Sequence, residues 1–179
     1  MEPAVAHRRA QAAFAGVLDG VADDDLQRPT PCDEWSVIEL ITHVVDANRW
    51  VVKLAGAGRV QLPDDVHSRH AVASAAAQAV FDAEQAMTRT FDLPWGPTPG
   101  AAFAMTRAND VYTHAWDLAR AIDAGTDIDP ELGELLLQGA SRRITPELRS
   151  FGNFFGAEVT CDPSRPVADR LAAFLGRQV

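Results

Sequence analysis

The chain has 179 residues, enough for one domain with a substantial core and little more. Its net charge of −9, with basic residues scattered in ones and twos, excludes a phosphate-neutralising surface for nucleic acid. The 47% hydrophobic and 23% charged residues are those of a globular protein, and no apolar run approaches the roughly 20 residues that span a bilayer.

The opening "MEPAVAHRRAQ" lacks the pattern of a secretory signal, and Cys32 and Cys161 form no CxxC pair. The expectation is a cytoplasmic protein with free thiols and no membrane partner. Cys32 reads as a small buried residue in a loop.

The first helix is predicted from about Pro3 to Gly20, with Ala10, Phe14, Val17, Leu18 and Val21 at helical spacing. A loop, "DDDLQRPTPCDEW", follows. Ser36 and Glu39 then have the spacing of a capping box, with Trp35 and Leu40 placed as a hydrophobic staple, and the second helix runs to about Gly56. After the glycine-rich linker "AGAGRVQLPDDV", a third helix is expected from His67 to Phe91, its apolar stripe being Val72, Ala76, Val80, Ala83, Met87 and Phe91. "DLPWGPTPG" breaks the chain. The fourth helix covers about Ala101 to Ala124.

Four long amphipathic segments describe an all-α helix bundle over about 3–124. The remainder, about 125–179, reads as an appendage of the same single domain. Asp129 caps a short helix that opens on Pro130, "FGNFFGAEVTCDPSRPV" is irregular with at most one extended stretch, and "VADRLAAFLGR" closes the chain as a short helix.

Candidate chemistry concentrates on the histidines. His43 shares a helical stripe with Leu40, Ala47, Trp50 and Leu54. It suits either a core histidine bonded to a neighbour or a ligand. On the fourth helix, Arg107, Asp110, His114 and Asp117 flank the apolar stripe Ala104, Ala108, Val111, Ala115, Leu118 and Ile122. Residues four apart lie roughly 5–6 Å apart at Cβ, so Asp110 and His114 can meet on one ion. The same four residues also suit a solvated ladder of ion pairs. The H-x-x-H of His67 and His70 falls at an exposed helix start where the adjoining aspartates act as a cap, and His7, among arginines, reads as surface. No glycine-rich phosphate loop or serine nucleophile elbow is present.

Three stretches carry a resemblance. "RPTPCDEWSVIELITHVV" resembles T-P-C-x-x-W-[ST]-V-x-x-L-x-x-H, and "DVYTHAWDLARA" is similar to D/E-V-x-x-H-x-W-D-L-A-R-A. "FGAEVTCDPSRPVADRLAAFLGR" resembles the usual ending of the same group. Together they mark the DinB-like family, in the branch related to the metal-binding domain of mycothiol-dependent maleylpyruvate isomerase.

The resemblance implies a DinB-like four-helix bundle holding a divalent metal, zinc or nickel, with His43, Asp110 and His114 as ligands. It implies a glutamate where this chain has Asp110, a side chain one methylene longer. Asp117 takes a cofactor-binding and catalytic role by the same resemblance, orienting a ligand or the thiol. The isomerase carries a further C-terminal domain, so the expected activity is the broader one: transfer or isomerisation of a small electrophile with mycothiol or a similar low-molecular-weight thiol. A homodimer follows from the family's habit. The rival expectations are a non-catalytic metal-binding stress or storage bundle and a metal-dependent hydrolase.

Overall fold

A computed structural model describes residues 1–32, 35–150 and 155–179. Helices α1 (Pro3–Leu18), α2 (Val37–Leu54), α3 (Val66–Asp82) and α4 (Gly100–Ala121) form the bundle. α1 lies along α4 and α2 along α3, while α1–α3 and α2–α4 contacts close the ring. Each helix begins where the sequence supplies a start. Pro3 opens α1, and Glu39 reaches back to accept the Ser36 backbone N–H (2.8 Å) ahead of α2. Asp65 caps α3 by accepting the N–H of Ser68 at 2.8 Å.

Burial follows the helical period. α1 buries Ala6, Ala10, Phe14 and Leu18; α4, at the centre, is buried nearly all round. The main core gathers Phe14, Leu40, Ile41, Tyr112, Trp116 and Leu118. A second cluster at the other end packs Phe81, Phe91 and Phe103. Fully burying each such side chain stabilises the fold by about 1.5–3 kcal/mol.

The third helix ends earlier than its expected stripe. It stops at Asp82, Ala83 is extended, and Gln85 takes a left-handed φ of 61°. Residues 90–99 form an antiparallel hairpin, β1 (Thr90–Leu93) with β2 (Gly96–Pro99), in which Phe91 pairs with Thr98. Met87 and Phe91 fall at helical spacing by coincidence; the alternation that buries Phe91 and Leu93 is the strand period. The buried face of α3 is His70, Ala73, Ala77, Val80 and Phe81, and Val72 is exposed. Gly100, first residue of α4, has no alternative there: a Cβ would sit 1.8 Å from the Ala86 carbonyl oxygen.

His7 and His70 are not at the surface. Both are buried, in a polar network that joins three helices. His7 Nδ1 donates to Gln78 Oε1 (2.8 Å), and its Nε2 accepts from Gln11 Nε2 (3.1 Å). Gln11 pairs amide to amide with Asn48 (2.6 and 3.2 Å), and His70 Nε2 donates to Gln11 Oε1 (3.0 Å). Paired in this way, the buried groups avoid the cost of unmade hydrogen bonds.

The appendage comprises α5 (Pro130–Arg143), α6 (Pro146–Ser150) and α7 (Val167–Phe174). Asp129 caps α5 through the Leu132 N–H (3.2 Å) and pairs with Arg9 of α1 (2.7 Å). Trp116 Nε1 donates to the buried Asp169 of α7 (2.7 Å), and Tyr112 Oη donates to the Ile128 carbonyl, so α4 anchors both ends of the appendage. The described part of the irregular stretch, 155–166, contains no strand; 151–154, like Asp33 and Glu34 of the first loop, lies outside the described residues.

Candidate metal centre

α2 and α4 bring His43, Asp110 and His114 together. One nitrogen from each imidazole and one Asp110 oxygen lie within 4.8 Å of one another. His43 Nε2 stands 3.7 Å from Asp110 Oδ2, and His114 Nε2 stands 3.8 Å from Asp110 Oδ1. Donors about 2.0–2.2 Å from a tetrahedral zinc are separated by roughly 3.4 Å, so the two histidine–Asp110 distances exceed that by a few tenths of an ångström and no pair of the three donors by more than about 1.4 Å. The shorter Asp110 therefore reaches both rings. His43 lies at the edge of the core rather than inside it, its side chain about a third exposed (36%). His114 is nearly enclosed.

Two atoms of this cluster are enclosed without a hydrogen-bond partner among the described residues: His43 Nε2 and Asp110 Oδ2. Asp110 Oδ2 keeps its ion pair with Arg107 Nη1 (3.1 Å), so the atom left without any partner is His43 Nε2, 3.7 Å from that oxygen, an arrangement a cation would satisfy. Burial pushes the Asp110 carboxyl up, but the Arg107 guanidinium, 3.1 Å away, and the two imidazoles hold it well below the usual carboxylate range. Asp110 is thus ionised, as a ligand must be.

Behind His114 a second layer is fully paired. Asp117, completely buried, accepts from His114 Nδ1 (2.9 Å), Cys32 Sγ (3.1 Å), Arg177 Nε (2.6 Å) and Arg177 Nη2 (2.8 Å). An Nδ1–H given to Asp117 leaves the His114 Nε2 lone pair facing Asp110. Cys32, His114 and Asp117 also lie close enough to share an ion. There, however, a guanidinium already occupies both carboxylate oxygens and would repel a second cation. Burial, followed by the Asp117 charge, pushes the Cys32 thiol up to about 12, so near neutral pH it is a protonated donor to Asp117 and not a nucleophile.

The ladder expected on the flank of α4 exists, but it is not solvated: Arg107 and Asp117 are buried. Trp35 packs against both imidazoles, its ring centroid 4.7 Å from that of His43 and 5.9 Å from that of His114. Trp50 lies elsewhere, against Phe103 and Trp95. His67 and His70 do not converge: His70 belongs to the buried network and His67 stays in the capped first turn. Arg177 is the site residue that spacing does not reveal. The one hint is its place just after a helix-ending glycine, which says that the chain turns but not where it leads.

A ring of four packed helices with this donor cluster between α2 and α4 defines a DinB-like bundle. The chain belongs to the family described as mycothiol maleylpyruvate isomerase N-terminal domain, whose profile matches residues 7–119. It is 46% identical over 182 residues, covering 100% of both chains, to an uncharacterized protein, MT0763, of Mycobacterium tuberculosis strain CDC 1551 / Oshkosh. The same values hold for the uncharacterized protein Rv0738 of strain ATCC 25618 / H37Rv. No solved structure gives a significant match. Among the described residues no helix is long and apolar enough to cross a membrane.

Proposed function

We propose that His43, Asp110 and His114 hold a divalent metal, zinc or nickel, and that the protein is a thiol-dependent transferase or isomerase acting on a small electrophile. The observation that carries this reading is the convergence of three donors from α2 and α4, with His43 Nε2 enclosed and unpartnered beside Asp110 and His114. Two imidazoles and one carboxylate are the three-ligand set of catalytic zinc sites, which keep a position open for water or substrate. When bound, such a metal supplies stabilisation of a coordinated thiolate.

The chain's own residues support that role. Arg107 neutralises and aims Asp110, Asp117 fixes the His114 ring, and Trp35 packs against the His43 ring. The Cys32 thiol is engaged as a donor to Asp117, and the family's own description supports mycothiol or a related low-molecular-weight thiol as the reacting co-substrate. Two free cysteines and thiol chemistry suit a reducing cytoplasm.

Elemental analysis of the purified protein, followed by titration with zinc, tests the site. One ion per chain is expected, lost in His114→Ala. Thiol conjugation to a haloarene or an epoxide tests the reaction: turnover requiring both metal and thiol is expected. Unchanged zinc stoichiometry in His114→Ala would remove the proposal.

A further inference from the structure

We propose that Arg177, delivered from the C-terminal appendage, is a positioning residue for this cluster: its guanidinium clamps Asp117, and Asp117 in turn fixes the His114 imidazole with Nε2 toward Asp110 and His43. The inference rests on the metal-site reading above and adds to it a residue outside the stretch matched by the family profile, 7–119.

Arg177 grips both oxygens of Asp117 in a fork, Nε to Oδ1 at 2.6 Å and Nη2 to Oδ2 at 2.8 Å. The same Nη2 lies 3.6 Å from Cys32 Sγ, so the loop that carries Cys32 and the tail that carries Arg177 meet on one carboxylate. A bidentate guanidinium fixes the plane of its partner as well as its charge. With that plane fixed, Oδ2 has one direction in which to receive His114 Nδ1–H. Without it, Asp117 is a completely buried carboxylate that has lost its one guanidinium partner among the described residues and keeps only the Oδ2 bonds to His114 and Cys32.

The appendage is shaped to make this delivery. α7 ends at Phe174, and Gly176 adopts a φ of +99° that a side chain would strain. The turn is held by Gly176 N–H to the Ala173 carbonyl and Arg177 N–H to the Ala172 carbonyl, both 3.0 Å. A Cβ on Gly176 would lie 2.5 Å from Gly156 Cα, so two glycines let the strands of chain touch. Arg149 staples the corner, donating to the Gly156 and Phe174 carbonyls at 2.7 Å each.

The test uses the full chain with Arg177→Met, Arg177→Lys and His114→Ala. Zinc affinity is measured by chelator competition, and the His114 tautomer by imidazole nitrogen NMR of the metal-free protein. Removing a group that orients a ligand typically costs about 10–100-fold in metal affinity, the loss expected for Arg177→Met, with partial recovery in Arg177→Lys. The metal-free spectrum should pass from a single Nδ1–H form of His114 to a mixture, a change that mere loosening of the appendage would not produce. Wild-type affinity and an unchanged tautomer in Arg177→Met would overturn the proposal. If His114→Ala leaves zinc binding intact, the metal reading fails and the tautomer alone decides this one. Should Arg177→Met not fold, Arg177→Lys decides: it keeps the charge but not the fork, so wild-type values for it would be fatal.

Discussion

Acid should weaken this bundle between about pH 6.5 and pH 4, and the buried His7 and His70 should be the cause. Burial lowers the pKa of both from 6.5 to about 4; around His7, the bond to Gln78 and the Asp82 charge oppose the shift and Arg107 and Arg8 add to it, while Asp19 opposes it at His70. The sign follows from which state takes the proton. The unfolded chain binds it below about 6.5, and the folded chain refuses it until about 4, so each histidine subtracts about 1.4 kcal/mol per pH unit across that window. By about pH 5 the loss approaches 2 kcal/mol per histidine, a large share of the usual 5–15 kcal/mol. The structure gives the reason: a proton on His7 Nε2 would face the Gln11 amide N–H, donor against donor. Carboxylates with lowered pKa, such as Asp117 and Asp129, act lower, as pH falls past their ordinary 3.8. The assay is urea unfolding followed by circular dichroism at several pH values, with chelator present so that metal does not add its own term. The double variant His7→Gln, His70→Gln should flatten most of the slope. A wild-type midpoint constant from pH 7 to pH 5, or an equal slope in the double variant, would refute the reasoning.

Other consequences can be measured directly. Gly133→Ala should destabilise the protein by about 1–3 kcal/mol despite alanine's better helix propensity, because the new Cβ would lie 2.4 Å from Tyr112 Oη and 2.5 Å from Val167 Cγ1; thermal melts decide. Trp116→Phe leaves Asp169 without its indole donor and should cost about 1–3 kcal/mol, visible in hydrogen exchange first in α7. Cys32 should resist iodoacetamide at about pH 8 in the native protein and react once unfolded, and Cys32→Ala should still bind zinc; rapid native alkylation would contradict its raised pKa. Asp110→Asn should abolish zinc binding while leaving the bundle folded, since it removes a charge and not volume.

The bundle was legible because its helices carry their own starts. Pro3, Ser36 with Glu39, and Asp129 all sit where the sequence placed them, and α4's apolar stripe is buried as spaced from Ala104 to Leu118. What escaped was long-range. Phe91 obeys the helical and the strand period at once, and only Gln85 and the chain break beyond it decide between them. His7 precedes two arginines in sequence, yet it bonds Gln11 and Gln78, and Gln11 in turn bonds Asn48, so the network spans three helices, which no local pattern reports. The convergence of His43 with Asp110 and His114 was legible by resemblance, whereas spacing alone left Asp110 and His114 open between ligand pair and ladder. For Arg177 the glycine before it signalled only a turn, because its partner lies 60 positions away.

The amide of Gln11 touches His7, Asn48 and His70 at once, so it works as a key cut for one lock. Slide any of α1, α2 or α3 by a single turn and several donors and acceptors are stranded in hydrocarbon, each at a cost of about 1–3 kcal/mol. A bundle so rich in alanine offers many near-equivalent ways to stack smooth rods; this contact makes all but one of them expensive, and so sets the height at which His43 faces α4.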